Sequence, residues 1–422
     1  MTNIDQIKNS QFARQVLMLV TGAGLGQVIS FAASLITSRL FDPYEFGILA
    51  FFNSIIGIIG VFATGKYDLG IVVVKNEEDV DKLIRLCRRI LFIFSVLLTV
   101  FGIILWFFSD LFHLQNDYVK WLPFSGLAVF LSGYAHVLYM FYTRVKGFKV
   151  LTYARIIESV FLNGFTIIFW FTGSWALLIG LLIAQAAAIF YYSKKIKEFE
   201  RTKAGKIDFK SVAKEYSEFP KYNILLGFLD MYQSQSVVLL GSVWFQSTIL
   251  GLYGFSLRLL QVPLWLVIRP VSHVFFSRAS ELNREGKPIL PLVSKTIFIS
   301  FLLATPFFLI LFFFGPVLFA FFFGEKWRDA GELSSLLSFW MILDLVRAPI
   351  AQIPVVIGKQ QMLLYWTVAG SVISTLAVIY AGMFYFDNMK AAFAIITAAQ
   401  SFYCLLVIFI CFILAKKSDY DR

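Results

Sequence analysis

Charge is scarce in this 422-residue chain: Asp, Glu, Lys and Arg make up 15% of it, where a soluble domain carries roughly 25%. So few charges could not cover the surface of a globular protein that is 59% apolar. The same balance excludes disorder, which needs low hydrophobicity and high charge. The apolar runs do not alternate with polar residues, which excludes a transmembrane barrel. Cysteine is limited to Cys87, Cys404 and Cys411, none with metal-ligand spacing, and all three read as reduced packing residues. The three histidines, His113, His136 and His273, are scattered, so no metal site is expected. No P-loop is present, so ATP is not used directly and no cofactor is implied.

What the chain has is apolar length. A spanning helix needs about 20 mostly apolar residues, so twelve would use about 240. Twelve apolar segments lie near 14–38, 45–74, 90–108, 121–143, 152–172, 175–192, 220–245, 249–276, 295–323, 333–357, 361–386 and 391–415. The fold class is therefore an all-α polytopic membrane protein. The second, eighth and ninth segments exceed a minimal span and should tilt, kink or project. Pro263, Pro270, Pro306, Pro349 and Pro354 fall in later segments, where each should bend its helix. Residues 1–14 are polar, with Asp5, Lys8 and Arg14, and the run Val16 to Thr37 is long enough to span, so no cleavable signal is expected.

The net charge of +11 would suggest nucleic acid in a soluble protein. Here it follows the positive-inside pattern, and no nucleic-acid partner is implied. Most of the 37 basic residues lie at the termini and in the even-numbered loops, such as Lys82, Arg85, Arg88 and Arg89, then Arg144, Lys146 and Lys149. Both termini are thus expected to be cytoplasmic. The opposite loops, such as Thr172-Gly173-Ser174 and Phe245-Gln246-Ser247, are too short for a catalytic domain.

The most charged stretch, Lys194 to Lys221, falls midway and reads as a solvated linker, with contact to anionic headgroups as its functional alternative. The expected organisation is an N-terminal six-helix bundle at 1–193, a charged linker at 194–215 and a C-terminal six-helix bundle at 216–422. The halves look related. Phe46-Gly47-Ile48-Leu49-Ala50-Phe51 in the second segment parallels Leu252-Tyr253-Gly254-Phe255 in the eighth. Six helices per half make this a parallel repeat, a relation common in transporters.

An ionisable residue at mid-bilayer costs roughly 2.5–3.5 kcal/mol on insertion scales. The candidates here are Lys66, Asp68, Glu158, Asp230, Arg258, Arg269, Asp344 and Arg347. Asp344 and Arg347 are one turn apart and can pair. Lys66 and Arg269 can snorkel. Arg258, flanked by Leu257, Leu259 and Leu260, must face either a polar cavity or a buried acid such as Asp230 or Glu158. Cavity cations imply an anionic ligand, and guanidinium forks match phosphate oxygens.

Other motifs carry less. Gly22-x-Gly24-x-Gly26 follows no strand and reads as close helix packing rather than a dinucleotide fingerprint. Asp419-Tyr420-Asp421 resembles an acidic pair of glycosyltransferases but stands in a short tail with no domain around it. Trp170, Trp175, Trp244 and Trp327 lie near outer ends and read as interface anchors.

Three stretches carry a resemblance: Ser38-Arg39-Leu40-Phe41-Asp42-Pro43-Tyr44-Glu45-Phe46-Gly47, Leu252 through Pro263, and Phe323-Gly324-Glu325-Lys326-Trp327-Arg328-Asp329-Ala330-Gly331. In this order they resemble the polysaccharide repeat-unit flippases, the Wzx-type O-antigen transporters of the multidrug/oligosaccharidyl-lipid/polysaccharide exporter superfamily. The resemblance covers essentially the whole chain. It implies two bundles alternating between inward-open and outward-open states in a bacterial inner membrane. It implies a substrate of undecaprenyl pyrophosphate bearing one oligosaccharide unit, with other polysaccharide-assembly membrane proteins as possible partners. Arg258 matches the position of a lumenal arginine that contacts the pyrophosphate in such proteins. Lys66, Arg347, Arg269 and Arg39 are the secondary candidates, and Glu158, Asp68, Asp230 and Asp344 the candidates for ion coupling. The rival readings are a cation-coupled drug or metabolite antiporter of the same superfamily and an O-antigen polymerase or ligase.

Overall fold

Each of the twelve apolar segments coincides with a helix in a computed structural model, which describes residues 11–109, 116–196, 205, 207–263, 268–359 and 361–420. The residues 1–10, the linker charges Lys197 to Lys203 and Lys206, and Asp421 lie outside the described residues. In chain order the main helices are α1 (Gln11–Leu40), α2 (Pro43–Ala63), α3 (Glu77–Phe107), α4 (Ser125–Arg144), α5 (Phe148–Ile168), α6 (Ser174–Lys195), α7 (Glu218–Gly241), α8 (Ser247–Pro263), α9 (Arg269–Arg284), α10 (Leu290–Phe323), α11 (Arg328–Ile350), α12 (Gln361–Tyr385) and α13 (Met389–Tyr420). No strand occurs among the described residues. Ten of these helices, α2 to α7 and α10 to α13, are long and apolar enough to cross a membrane.

One of the three long segments does not remain a single helix. The second stops at Ala63, where Gly65 and Lys66 both take positive φ near 59°, and a 3₁₀ turn (Tyr67–Leu69) and the short helix Gly70–Val73 complete the segment. The chain stays apolar across this break, so hydropathy alone joins the pieces. Of the eighth, the described residues form α8 and the polar-faced α9, and residues 264–267 between them lie outside the described residues. The ninth runs on unbroken: α10 has 34 residues, about 51 Å at 1.5 Å per residue, against about 30 Å of hydrocarbon. The prolines follow suit. Pro263 closes α8, and Pro270 and Pro354 open helices, where a missing N–H costs nothing. Pro306 and Pro349 are helix-internal, as is Pro316.

The chain forms two compact units, Met1–Phe41 with Phe51–Met231, and Asp42–Ala50 with Tyr232–Arg422. Helices α2 and α7 each contribute to both. In the first unit α3 packs on α4, α4 on α6, α6 on α5 and α5 on α1. In the second, α10 packs on α11, α11 on α13 and α13 on α12, and α7 meets α12 through Tyr232–Thr375 (2.8 Å) and Ser236–Ser374 (2.7 Å) hydroxyl pairs. The same packing order thus recurs six apolar segments later. A close crossing recurs too: a Cβ on Gly126 would sit 2.1 Å from the Ser95 carbonyl of α3, and one on Gly331 2.4 Å from the Gly315 carbonyl of α10. Gly26 of α1 approaches Ser159 of α5 in the same manner, consistent with a packing role for the first glycine series.

The end of the charged linker folds on the first unit. Asp208 caps the short helix Phe209–Glu215 by accepting from the Lys210 N–H. Val212 is buried among Tyr67, Leu83 and Tyr142 of that unit's core, and the Tyr67 hydroxyl donates to the Ala213 carbonyl (3.1 Å). Arg144 at the end of α4 donates to the carbonyls of Ile71, Val74 and Lys75 and to Glu77 (2.8 Å), tying the break after α2 to the start of α3.

In the second unit Asp419 near the end of α13 accepts from the N–H groups of Ile289 (2.7 Å) and Leu290 (2.8 Å), the orphan donors at the start of α10. A structural cap explains this residue, and no glycosyltransferase chemistry is needed. Asp419→Ala is expected to cost about 1–2 kcal/mol, the usual worth of an N-terminal cap, read as a lower melting temperature of the purified protein. An unchanged melt would show that the cap adds nothing.

Candidate functional site

The part of the first resemblance stretch from Asp42 to Gly47 meets the other two stretches in one place within the second unit. Asp42 precedes α2, Pro43 opens it, and the Glu45 carboxylate reaches back to the Asp42 N–H (2.9 Å), which is a capping box. The Asp42 carboxylate in turn pairs with Lys326 Nζ (2.8 Å). One turn on, Gly47 lies against α8 so closely that a Cβ would fall 1.8 Å from the Ser247 carbonyl. From the other side, a Cβ on Gly251 would fall 1.7 Å from the Pro43 carbonyl. The two backbones touch, and only glycine leaves room. Phe46 stands edge-on to Phe255 (5.5 Å) and to Trp327 (5.3 Å), and Phe255 packs on Trp327 at 4.1 Å. Gly324 holds φ at 101° and turns the chain from α10 into the 3₁₀ turn that carries Trp327. Trp327 is fully buried. It is therefore not the interface anchor expected from sequence, because Phe46, Phe255 and α11 enclose it. Trp170 is exposed and fits that role.

Beyond this clasp α8 carries Arg258. Ser256 donates to the Ala330 carbonyl of α11 (2.7 Å), which fixes the register between the helices. Arg258 lies two residues past that contact and is half-buried. Among the described residues of the second unit no carboxylate pairs with it. A cation kept in an apolar helix without a partner retains its full capacity for an anion.

Arg347 is differently placed. Its Nε bonds Asp344 at 2.9 Å, one turn away on α11, and its guanidinium lies 5.7 Å from the Tyr403 ring. From the Ser256–Ala330 contact Arg347 is seventeen residues on along α11 and Arg258 two residues on along α8. Arg39 is exposed in the last turn of α1, where a cation suits the helix dipole. The Arg269 side chain lies outside the described residues, and its backbone opens α9. Lys66 is half-buried in the left-handed break after α2 and lays its stem against Gly227 of α7.

The acids divide similarly. Asp68 is 2% exposed, accepts from the Thr64 hydroxyl (2.5 Å) and lies 3.3 Å from Nε2 of the half-exposed His136 on α4. Glu158 is 3.4 Å from Arg155, one turn earlier on α5. Asp344 pairs with Arg347. Asp230 is exposed on α7 and has no ion pair among the described residues. Two of these partners escape sequence reasoning. Arg155 carries a legible signal, its i,i+3 spacing to Glu158. His136 carries none, being 68 positions from Asp68.

Long apolar helices with Glu158–Arg155 and Asp344–Arg347 pairs, and with Arg258 unpaired among the described residues, define an all-α polytopic membrane protein. Comparison of folds agrees. The chain is similar to an inward-facing multidrug-resistance MATE family transporter of the MOP superfamily (TM-score 0.76, 13% identity, 93% of this chain and 95% of that one). It is also similar to the lipid II flippase MurJ in an inward closed conformation (0.71, 15%, 94% and 90%). A third is a MOP superfamily transporter from Pyrococcus furiosus, described as having a binding pocket of reverse polarity (0.65, 13%, 100% and 98%). A comparison with curated proteins finds no match. The family model for polysaccharide biosynthesis proteins matches residues 36–332, and the chain belongs to that family.

Proposed function

We propose that this protein flips lipid-linked oligosaccharides: undecaprenyl-pyrophosphate-linked repeat units of O-antigen or capsule type, carried from the cytoplasmic to the outer leaflet of a bacterial inner membrane by alternating access. The lone, half-buried Arg258 carries the reading. A sugar unit brings many hydroxyls, each costing several kcal/mol if left unsatisfied in lipid, and its pyrophosphate needs a cation in place of water. One phosphate charge about 4 Å from a guanidinium at an effective dielectric of 20 gains roughly 4 kcal/mol, enough to offset the insertion cost of one arginine. Family membership supports the polysaccharide, the basic even-numbered loops support cytoplasmic termini, and short odd-numbered loops argue for transport without chemistry.

An antiporter for cationic drugs wants free acids in its membrane. Of the four candidate acids, Asp68, Glu158 and Asp344 each have a basic neighbour here and Asp230 has no ion pair among the described residues; the predominance of paired acids favours the anionic substrate. The test is proteoliposomes loaded with a labelled undecaprenyl-pyrophosphate oligosaccharide. Protein-dependent movement of the label between leaflets is expected; a folded protein that moves cationic drugs and no lipid-linked sugar would put the antiporter first.

Ion coupling falls to the Asp68–His136 couple, which joins a buried carboxylate to a half-exposed imidazole across two helical elements of the first unit. Asp68→Asn is expected to abolish the part of the flipping rate that responds to an imposed pH gradient. If collapsing the gradient leaves the wild-type rate unchanged, the couple is structural.

A further inference from the structure

The first unit holds a second cationic feature, remote in sequence from Arg258. A groove of about 480 Å³ is lined by Arg85, Arg88, Arg89 and Phe92 of α3, Phe130 of α4 and Phe209 of the short helix after the linker. The three arginines follow i, i+3, i+4 spacing and share one face of α3. Arg85 is held by the buried Asp81 (2.7 Å), and Arg89 lies over the Phe209 ring (4.5 Å). Arg88 is exposed and has no ion pair among the described residues. Three guanidiniums against one carboxylate leave the rim with a net charge of +2.

One turn further along α3 the character changes at once. Phe92 (60%), Ile93, Val96, Leu97 (64%), Val100 and Phe101 are exposed in succession and wholly apolar. A cationic rim with phenylalanine walls that opens onto a bare apolar track fits an amphiphile with a phosphate at its head and hydrocarbon behind it. Free phosphate would gain nothing from the track. A glycan would find no hydroxyl or amide along it.

We infer that this groove is a binding site for an anionic phospholipid, whose phosphate sits among Arg85, Arg88 and Arg89 while its acyl chains lie along the exposed face of α3. The lipid bridges α3, α4 and the docked end of the linker through Phe209. It is a resident of the leaflet at the basic end of the helices and is not the transported molecule. The inference stands independently of the substrate assigned to Arg258.

The test is lipid binding by purified full-length protein, with fluorescent phosphatidylglycerol titrated in detergent and unlabelled competitors added. Wild type is expected to bind phosphatidylglycerol in preference to phosphatidylcholine. R88Q/R89Q is expected to lose roughly 30-fold in affinity, at about fivefold per arginine near a lipid surface. The control K416Q/K417Q, which removes the same charge from α13, should bind like wild type. Because Arg88 and Arg89 are exposed, both variants should fold, and R88Q alone gives an intermediate loss if they do not. Equal losses in the two double variants would mean diffuse charge attraction and overturn the site. Competition by inorganic phosphate as effective as by the lipid would mean an adventitious ion only. Displacement by undecaprenyl-pyrophosphate oligosaccharide at lower concentration than by phosphatidylglycerol would make the groove a substrate entrance and overturn the resident-lipid assignment.

Discussion

Arg258→Gln is expected to slow flipping of a lipid-linked oligosaccharide by roughly 30- to 150-fold, the equivalent of about 2–3 kcal/mol for a charge-assisted hydrogen bond to phosphate. Arg258→Lys should fall between the two, since an ammonium restores the charge but not the two-pronged geometry. The same substitution should not unfold the protein. Arg258 has no acid partner among the described residues, so its removal orphans no charge. It also relieves an insertion cost of roughly 2.5–3.5 kcal/mol. The expected result is a variant that melts at or above the wild-type temperature and transports poorly. Arg347→Gln should behave in the opposite way. It leaves the Asp344 carboxylate unpaired inside the second unit; breaking a fully buried pair from one side costs about 3–5 kcal/mol, and this partly buried pair should cost less. Melting curves beside flipping rates for the two variants separate a binding cation from a structural one. Equal behaviour would remove the distinction.

The second large effect is expected at the crossing of α2 and α8. Gly47→Ala and Gly251→Ala each place a methyl group within 2 Å of a backbone carbonyl, where no flexible side chain can yield. Each should destabilise by about 1–3 kcal/mol, the range for overpacking. The double variant should cost less than the sum, because one separation of the backbones relieves both clashes. Gly60→Ala in α2 and Gly164→Ala in α5 are the controls. A Cβ at either meets nothing within 4 Å, and alanine is the better helix former by about 1 kcal/mol. Thermal melts of the four single variants should therefore divide by sign. Four equal effects would mean that the crossing is not a tight contact.

Much of the fold is legible in the sequence because apolar runs of spanning length have few alternatives to a helix. The breaks within those runs are not, since Tyr67 to Val74 is as apolar after Lys66 as the chain before it. Local pairs such as Asp344 with Arg347 can be read from spacing. Asp68 with His136, Trp327 with Phe46 and Asp419 with the start of α10 join positions far apart in the chain, and nothing in one sequence marks them. Trp327 shows the consequence. Its place in a short loop suggests a lipid interface, while the enclosure that defines it comes from a helix 281 positions earlier. Arg258 is the converse: its oddity shows in the sequence, and the structure adds the lack of a partner.

The most direct measurement compares two lipids in two proteins. Flipping of undecaprenyl-pyrophosphate oligosaccharide and of the corresponding monophosphate would be followed in proteoliposomes with wild type and Arg258→Gln. If Arg258 holds the pyrophosphate, wild type prefers the diphosphate lipid and the variant loses that preference while keeping its slow background rate. If the variant slows both lipids by the same factor, or keeps the wild-type preference, Arg258 does not read the phosphate and the account of the site is wrong.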